Sequence, residues 1–155
     1  MVRPYSERDY STCMDLWSEF DRFHLRKSDY YFKQPSASEL MQRHEKYSRG
    51  ENALFLVDEE GGNVLGFIVG ILKETPGVAL LKKRTVMEIH GLSVLAEYRE
   101  TGVAGKLLEA AIHHARARKA DDVEGHFWAF SHVAENLFKR FGFTLLSTKY
   151  GYHIE

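Results

Sequence analysis

The segment between Val94 and Lys106 changes from the pattern of a strand, through a short loop that contains glycine, to the pattern of a helix. The start of a helix leaves backbone N–H groups unpaired and carries a partial positive charge, so it binds phosphate readily. Gly102 allows a positive φ and a close approach of the backbone to an anion, while Ala104 and Gly105 keep the first helical turn slim. The segment therefore predicts a phosphate-binding loop that joins a strand to a helix.

Two other phosphate-binding motifs do not fit this segment. The Walker loop requires serine or threonine after its Gly-Lys pair, but Lys106 is followed by leucine. The dinucleotide fingerprint requires three glycines directly after a strand, whereas this loop is longer and lacks the third glycine. Neither a Walker-type nucleotide site nor a dinucleotide site of the Rossmann kind is therefore predicted.

Hydrophobic periodicity predicts a mixed α/β sheet flanked by helices, because antiparallel hairpins at the start of the chain give way to β-α-β units at the end. The predicted order is β-α-α-β-β-β-α-β-α-β. The predicted strands are residues 2–4, 53–57, 64–72, 85–94, 122–130 and 143–150. The predicted helices follow an N-cap at residue 6 and occupy residues 36–50, 103–119 and 131–141. No linker or repeat divides the chain, so residues 1–155 are expected to form one domain.

Composition and charge limit the partners of the chain. The formal net charge is −1, so no global field attracts nucleic acid or an anionic membrane, and neither partner is expected. Cys13 is the only cysteine, which rules out an intrachain disulfide and a four-cysteine zinc site, and no other residues have convincing metal-ligand spacing. The start of the sequence lacks the apolar core of a signal peptide, and no apolar run reaches the ~20 residues that span a bilayer. A cytoplasmic protein without a bound metal is therefore expected.

The residues Arg99-x-x-Gly102-x-Ala104 resemble the pyrophosphate signature of the GNAT superfamily of N-acetyltransferases, Gln/Arg-x-x-Gly-x-Gly/Ala. The resemblance extends over residues 2–143. Residues 92–94 resemble the fourth strand of that family, and residues 128–130 with residues 134–143 resemble its fifth strand and closing helix. The resemblance implies a mixed, mostly antiparallel central sheet and an acetyl-CoA-dependent N-acetyltransferase.

The resemblance also implies which positions bind acetyl-CoA. Backbone amides of the loop would hold the pyrophosphate, and the edge of the preceding strand would pair with the pantetheine arm. The pyrophosphate positions are Arg99, Glu100, Thr101, Gly102, Val103, Ala104 and Gly105, and the pantetheine positions are Leu92, Ser93 and Val94.

Two further cofactor positions, Ser131 and Phe138, lie on the closing helix, where the family commonly has asparagine and tyrosine. Phe138 cannot donate a proton as that tyrosine would, so the role of general acid is absent or moved. Ser131 is able to cap the helix or to donate a hydrogen bond to the pantetheine. A thiolate with a pKa of ~8.5 costs only ~2 kcal/mol to release unprotonated at pH 7, so water could supply the proton instead.

Glu88 and His90 are the candidate catalytic residues. An alkylamine with a pKa of ~10.4 is protonated at pH 7, so acetyl transfer to it requires that a proton be removed. The two residues lie two apart on the strand before the loop, so their side chains point to the same face. In several members of the superfamily these positions carry proton-relaying residues; the alternative is a polar pair that only faces a cleft. Gly91 marks either a bulge that admits the cofactor or an ordinary packing position.

The acceptor is not specified by the sequence. Residues 24–32 join the first two helices, and in this fold such a loop walls the acceptor site; here it is aromatic and mixed in charge. A small amine, a polyamine-like cation or a protein amine would fit. A non-catalytic module that binds acetyl-CoA is the alternative that the missing tyrosine suggests, and near-neutral charge disfavours a third hypothesis, acetylation of aminoacyl-tRNA. A homodimer remains an option because dimers are common in the superfamily, but no sequence feature specifies an interface.

Overall fold

The computed structural model describes all 155 residues, which form a five-stranded sheet with helices on both faces. The strands lie in chain order across the sheet; the first four are antiparallel to their neighbours, and the fifth runs parallel to the fourth. The strands are β1 (Val2–Pro4), β2 (Ala53–Glu60), β3 (Asn63–Thr75), β4 (Arg84–Val94) and β5 (Asp122–Gly125). The helices are α1 (Tyr10–Lys27), α2 (Ala37–Ser48), α3 (Val103–Ala117) and α4 (His132–Arg140). The predicted mixed, mostly antiparallel sheet is confirmed.

Each face of the sheet packs against its own hydrophobic core, because successive side chains of a strand point to opposite faces. The α3/α4 core consists of Leu54, Leu56, Leu65, Ile68, Leu72, Met87, Ile89, Val103, Leu107, Leu108, Ala111, Ala115, Leu137 and Phe138. The α1/α2 core consists of Cys13, Leu16, Trp17, Tyr47, Phe55, Val57, Val64, Phe67 and Val69. The predicted apolar face of α1 is confirmed in its N-terminal half, where Cys13, Leu16 and Trp17 are buried.

Helix α2 begins where its capping box predicts. The Ser36 hydroxyl accepts from the Glu39 N–H at 3.1 Å, and the Glu39 carboxylate accepts from the Ser36 N–H at 2.8 Å. These two bonds satisfy amides that the first turn of a helix otherwise leaves unpaired. None of the four α-helices combines the length and the apolar composition that crossing a membrane requires.

The β2–β3 hairpin is longer than predicted. Its turn consists only of Gly61 and Gly62, whose φ values of 58° and 85° suit a two-residue hairpin turn. The acidic residues before the glycines therefore belong to β2 rather than to the turn. Among them, Asp58 is 1% exposed and pairs in register with Val2 of β1.

Two strand predictions are wrong. Strand β5 ends at Gly125 rather than at residue 130, at a point where a Cβ on Gly125 would lie 2.4 Å from the ring of Phe138. The chain then turns toward the α1–α2 connection, where the ring of Phe130 lies 6.0 Å from that of Phe32. Residues 143–150 form no strand, since no other strand of the chain pairs with their backbone.

Candidate active site

A bulge in β4 shapes the surface that carries the two candidate catalytic residues. The pairing between β3 and β4 shifts by one residue, because Val69 pairs with Gly91 whereas Gly70 pairs with Ile89. His90 is therefore the extra residue of β4. A bulge of this kind bends the strand and re-aims the side chains beside it.

The bulge changes which residues of β4 face each core. Ile89 and Leu92 both pack on the α3/α4 core although they are three residues apart. The regular alternation of side chains between the two faces of the sheet therefore shifts by one residue between them. His90 and Gly91 consequently both face α1 and α2. A Cβ on Gly91 would lie 3.1 Å from the indole of Trp17, so this glycine is also a packing position. Gly91 therefore lies next to a bulge and is also an ordinary packing position.

Four side chains form a hydrogen-bonded chain on this face, which we call the relay: Tyr47, His90, Glu88 and Lys73. Tyr47 Oη lies 2.9 Å from His90 Nδ1, and His90 Nε2 lies 2.9 Å from Glu88 Oε1. Lys73 Nζ forms an ion pair with Glu88 Oε2 at 2.5 Å. An ionised carboxylate only accepts hydrogen bonds, so the N–H of the His90 ring is at Nε2 and donates a hydrogen bond to Glu88. In the neutral ring, Nδ1 then accepts from the Tyr47 hydroxyl, and both ring nitrogens are engaged.

The charge of the relay lies on Glu88 and Lys73. Burial by itself raises the pKa of Glu88, but the hydrogen bonds from His90 and Lys73 outweigh that effect and hold the pKa below its usual value. Burial also raises the pKa of Tyr47, which is 7% exposed, so its hydroxyl stays protonated. Glu88 is therefore ionised at neutral pH, and the side chain of its partner Lys73 is half exposed.

The backbone of β4 has an open edge beyond this point. Pairing with β5 ends at Ile89, whereas pairing with β3 continues to Val94. The predicted pantetheine positions Leu92, Ser93 and Val94 therefore lie together on a strand with one unpaired edge. The Ser93 hydroxyl points away from that edge, because it donates to the backbone oxygen of Leu16 at 3.2 Å. A ligand at the edge would meet backbone groups rather than this hydroxyl.

The predicted phosphate loop, residues 99–105, has a backbone suited to binding an anion. Gly102 is the N-cap of α3 with φ of 91°, and Glu100 also has a positive φ, of 63°. Left-handed residues of this kind within a loop turn successive N–H groups into an anion-binding concavity, to which the start of the helix adds partial positive charge. A Cβ on Gly102 would meet no atom within 4 Å, so the space in front of it is open.

Two side chains hold the loop against its neighbours. The Arg99 guanidinium donates to Glu19 of α1 at 3.1 Å and to the backbone oxygen of Val94 at 3.3 Å. The Thr101 hydroxyl donates to the backbone oxygen of Tyr98. These contacts stabilise the loop conformation. The Arg99 N–H donates to the backbone oxygen of Ala96 at 3.3 Å, whereas the amides of residues 100–105 have no backbone partner.

The first turn of α3 packs inward. Val103 is 4% exposed and belongs to the α3/α4 core, against which the half-buried Ala104 also packs. A Cβ on Gly105 would lie 3.2 Å from the ring of Phe141, so the glycine lets the C-terminal end of α4 approach α3 closely. The small residues of the signature therefore serve packing as well as the slim first turn that the sequence predicts.

The two remaining predicted cofactor positions lie at α4. Ser131 occupies the N-cap, but its side chain makes no capping hydrogen bond and is buried, so the predicted cap is not formed. Phe138 is 7% exposed, and its ring lies against Gly125 where β4 and β5 separate. Phe138 itself brings no hydroxyl group to this fork. Tyr150 and Tyr152, which match the missing acid only by residue type, are 93% and 90% exposed on the C-terminal segment.

An aromatic wall extends from the relay to the predicted acceptor loop. Its members come from α1, the α1–α2 connection and the segment after β5, and neighbouring rings lie 4.5 to 6.0 Å apart. They are Phe20, Phe23, His24, Phe32, Trp128 and Phe130. The ring of Trp17 lies 5.3 Å from Phe20 and 6.0 Å from Tyr47, so the wall and the relay are on the same side of the sheet.

Sequence reasoning missed Tyr47 and Lys73 as members of the site. Tyr47 showed only the spacing of a buried helix face, and its contact with His90 depends on how α2 packs on the sheet. The position of Lys73 could have been found from the hairpin register, since Ile71 pairs with Glu88 and a residue two positions away on the same face is a diagonal neighbour.

Comparisons with known proteins agree with this geometry. The family model described as acetyltransferase (GNAT) family matches residues 13–143. The chain is 27% identical over 149 residues to an uncharacterized N-acetyltransferase, MJ1207, of Methanocaldococcus jannaschii; the match covers 92% of this chain and 59% of that protein. The chain thus spans about three fifths of the length of this curated relative.

Two solved structures show the same fold. A tetramutant of the BH1408 protein from Bacillus halodurans superposes with a TM-score of 0.91 at 20% identity, over 99% of both chains. The structure of AAC(6')-Iy in complex with the bisubstrate analogue CoA-S-monomethyl-acetylneamine superposes with a TM-score of 0.74 at 14% identity, over 100% of this chain and 97% of that one.

Proposed function

This chain belongs to the acetyltransferase (GNAT) family, and from that premise we propose that it transfers an acetyl group from acetyl-CoA to a primary amine. The resemblance noted in its sequence is confirmed by the family match. The observation that carries the proposal is the continuity of three features along β4: the relay at Glu88 and His90, the open edge at residues 92–94 and the loop at residues 99–105. Each feature meets one requirement of the reaction, and they follow in the order in which an extended acyl donor would meet them.

Acetyl-CoA supplies the activated acyl group, and the chain supplies its binding surface. The amides of residues 99–105 would hold the pyrophosphate, and the unpaired edge of Leu92, Ser93 and Val94 would bond to the amide groups of the pantetheine arm. The distance along an extended strand from His90 to Val94 is about 13 Å, which leaves room for that arm between the relay and the loop. Ser131 and Phe138 would border the arm at the fork between β4 and β5.

Within the relay we assign proton acceptance to Glu88. Both nitrogens of His90 are engaged, whereas Glu88 is ionised and its second oxygen contacts only the half-exposed Lys73. An acceptor ammonium group can replace Lys73 at that oxygen and lose its proton there, directly or through one water molecule. His90 orients Glu88, and Tyr47 sets the tautomer of His90, so these two are positioning residues.

Phe138 provides no general acid for the departing thiolate. Releasing a thiolate with a pKa of ~8.5 at pH 7 costs only ~2 kcal/mol, so solvent is able to supply the proton. A backbone N–H on the open edge of β4 would stabilise the charge that develops on the acyl oxygen, a role that requires no side chain.

The acceptor we propose is a small amine, a polyamine-like cation or a protein amine. Support comes from the aromatic wall, which lies on the same side of the sheet as the ionised Glu88 and offers apolar and π surface to a cation. AAC(6')-Iy is described as an aminoglycoside N-acetyltransferase, and an aminoglycoside is an amine of the small kind. We further propose that residues 1–155 act as one domain in the cytoplasm, where a free thiol such as that of Cys13 is usual.

A second candidate function follows from Phe138, whose ring lies where the family has an acidic hydroxyl. A chain that binds acetyl-CoA without turning it over would serve as a sensor of that metabolite. Calorimetric titration with acetyl-CoA, followed by thiol release with a panel of amines, separates the two functions. Binding with turnover supports the enzyme, binding alone supports the sensor, and absence of binding contradicts both.

Variants of the relay test the assignment of its residues. Glu88→Gln should lower kcat at least tenfold, and Tyr47→Phe should lower it less, while the dissociation constant of acetyl-CoA stays unchanged. Glu74→Gln is the matched control, because Glu74 also forms an ion pair with a lysine, Lys83, but lies on an exposed part of β3. Turnover that is equal in all three variants would show that Glu88 is not the base.

A further inference from the structure

Lys73 occupies the position at Glu88 that an acceptor amine would take. Its Nζ lies 2.5 Å from Glu88 Oε2, the carboxylate oxygen to which we assign proton acceptance. The two residues are diagonal neighbours, because Ile71 pairs with Glu88 and Lys73 lies two positions farther along β3 on the same face. A lysine side chain is a primary alkylamine, the same class of group as the proposed acceptor. The chain therefore presents one of its own amines to its proposed base.

The Lys73 ammonium group is free to leave this ion pair. About half of its side chain is exposed, and Glu88 is its ion-pair partner. An ion pair this exposed stabilises a fold only weakly, so the two groups separate at little cost. The flexible four-carbon stem of lysine then lets Nζ move toward the open edge of β4, where we place the acyl donor, without a change in the backbone.

Two other lysines each share one feature with Lys73 and lack the other. Lys83 pairs with a carboxylate, Glu74, at 3.4 Å, but both side chains are 66% exposed and the pair lies outside the relay. Lys27 lies at the aromatic wall, with its Nζ 5.5 Å from the centre of the Phe23 ring, but its contact is with an aromatic ring rather than a base. Of these three lysines, only Lys73 combines a base with a place in the relay.

We propose that the chain acetylates its own Lys73 when no other amine occupies Glu88 Oε2, an inference that rests on the acetyl transfer proposed above. Glu88 accepts one proton from the Nζ ammonium group, and the lone pair left on Nζ forms the bond to the acetyl carbon. The carbon–sulfur bond of acetyl-CoA breaks, and the thiolate leaves with that electron pair. The second proton that the nitrogen loses passes through solvent to the thiolate, and Glu88 returns its proton to solvent, so one CoA thiol and one proton are released.

The modification changes the charge of the site. Acetylation removes the positive charge of a lysine. The amide formed on Lys73 therefore no longer neutralises Glu88, and the Oε2 atom is left open to another ammonium group. Lys73 is thus a modification site whose state depends on whether acetyl-CoA meets the chain with or without an acceptor amine.

Mass spectrometry of the purified chain tests the proposal. Incubation with acetyl-CoA and no amine should add the mass of one acetyl group, and peptide mapping should place that group on Lys73. Because a positioned base accelerates proton transfer, Lys73 should react at least about tenfold faster than Lys83 and Lys27, which measure direct chemical acetylation. In Glu88→Gln the rate at Lys73 should fall to that of these two control lysines. In the matched control Glu74→Gln it should equal the wild-type rate.

The rate at Lys73 should not depend on the concentration of the chain, because the amine and the base belong to one chain. A rate that rises with chain concentration would show transfer between copies and overturn the proposal. Acetylation that persists in Glu88→Gln, or that is equal at Lys73 and the two control lysines, would overturn it as well.

Thiol release with a panel of amines, measured in parallel, distinguishes this proposal from the proposed function. Turnover of an amine by a chain whose Lys73 stays unmodified would overturn self-acetylation alone. Absence of both reactions would overturn self-acetylation and the proposed function together. Acetylation of Lys73 that depends on Glu88 supports the proposal whether or not the panel contains the natural acceptor.

Discussion

Replacing Gly102 by alanine tests the phosphate loop through two separate quantities, the stability of the chain and its affinity for acetyl-CoA. The φ of Gly102 is 91°, and a left-handed conformation costs a residue with a Cβ about 1–2 kcal/mol. No atom lies within 4 Å of the added Cβ, so the loss of stability should come from strain alone and lower the Tm by about 2–4 °C for each kcal/mol. That Cβ projects into the open space in front of the loop, where we place the pyrophosphate.

The effect of Gly102→Ala on affinity should be much larger than its effect on stability. If the Cβ prevents two charge-assisted hydrogen bonds of about 1.5–3 kcal/mol each, acetyl-CoA should bind about 10²- to 10⁴-fold more weakly. Calorimetric titration measures this directly. A thermal-shift assay checks it, because acetyl-CoA at a concentration that just saturates the wild-type chain should raise the Tm of that chain and not the Tm of the variant.

Gly142→Ala is the matched control for this prediction. Gly142 follows α4 with φ of 85°, and a Cβ there would also meet no atom within 4 Å. Its alanine variant should lose a similar amount of stability and keep the full affinity for acetyl-CoA. Equal affinity of the two variants would refute the assignment of residues 99–105 as the phosphate loop.

Three further predictions concern stability and reactivity. Asp9 is buried and accepts two hydrogen bonds from Arg3, which hold its pKa below the usual value. The ionised Asp9 therefore adds to the free energy of unfolding above the unfolded pKa of ~3.9, and this contribution is lost as the pH falls through the lower, folded pKa. Asp9→Asn should therefore lower the free energy of unfolding by about 1.5–3 kcal/mol at neutral pH, and urea titrations should show this difference shrinking below pH ~3.9. Gly91→Ala should lower the free energy of unfolding by about 1–3 kcal/mol, because its Cβ would lie 3.1 Å from Trp17; an unchanged urea midpoint would contradict that packing. Burial raises the pKa of the Cys13 thiol to about 12, so a thiol reagent at neutral pH should label it only as fast as the chain opens, and rapid labelling of the native protein would contradict its burial.

Features that arise from residues close together in the chain could be predicted from the sequence. The capping box at Ser36 and Glu39 and the positive φ of Gly102 each depend on a few consecutive residues, and both are present in the structure. The apolar faces of the helices and strands were predictable for the same reason, since periodicity is a local property. The family resemblance also rests on local patterns, of which the phosphate-loop signature is the most specific.

The geometry of the relay, and of the fork where β4 and β5 separate, depends on packing between segments that are distant in the sequence. Tyr47 meets His90 across 43 residues of sequence, and Lys73 reaches Glu88 only through the register of β3 on β4. The bulge at His90 depends on the register of β3 on β4, whereas the sequence alone left Gly91 as either a bulge marker or an ordinary packing position.

The limits of the strands were likewise a tertiary outcome. The apolar pattern of residues 122–130 continues past Gly125, but the ring of Phe138 and the aromatic wall draw the chain away from the sheet at that point. Residues 143–150 have the pattern of a strand and no partner strand within the chain. A sequence pattern therefore predicts which residues favour an extended or helical backbone, whereas a strand exists only where another backbone supplies its hydrogen bonds, and that depends on the whole fold.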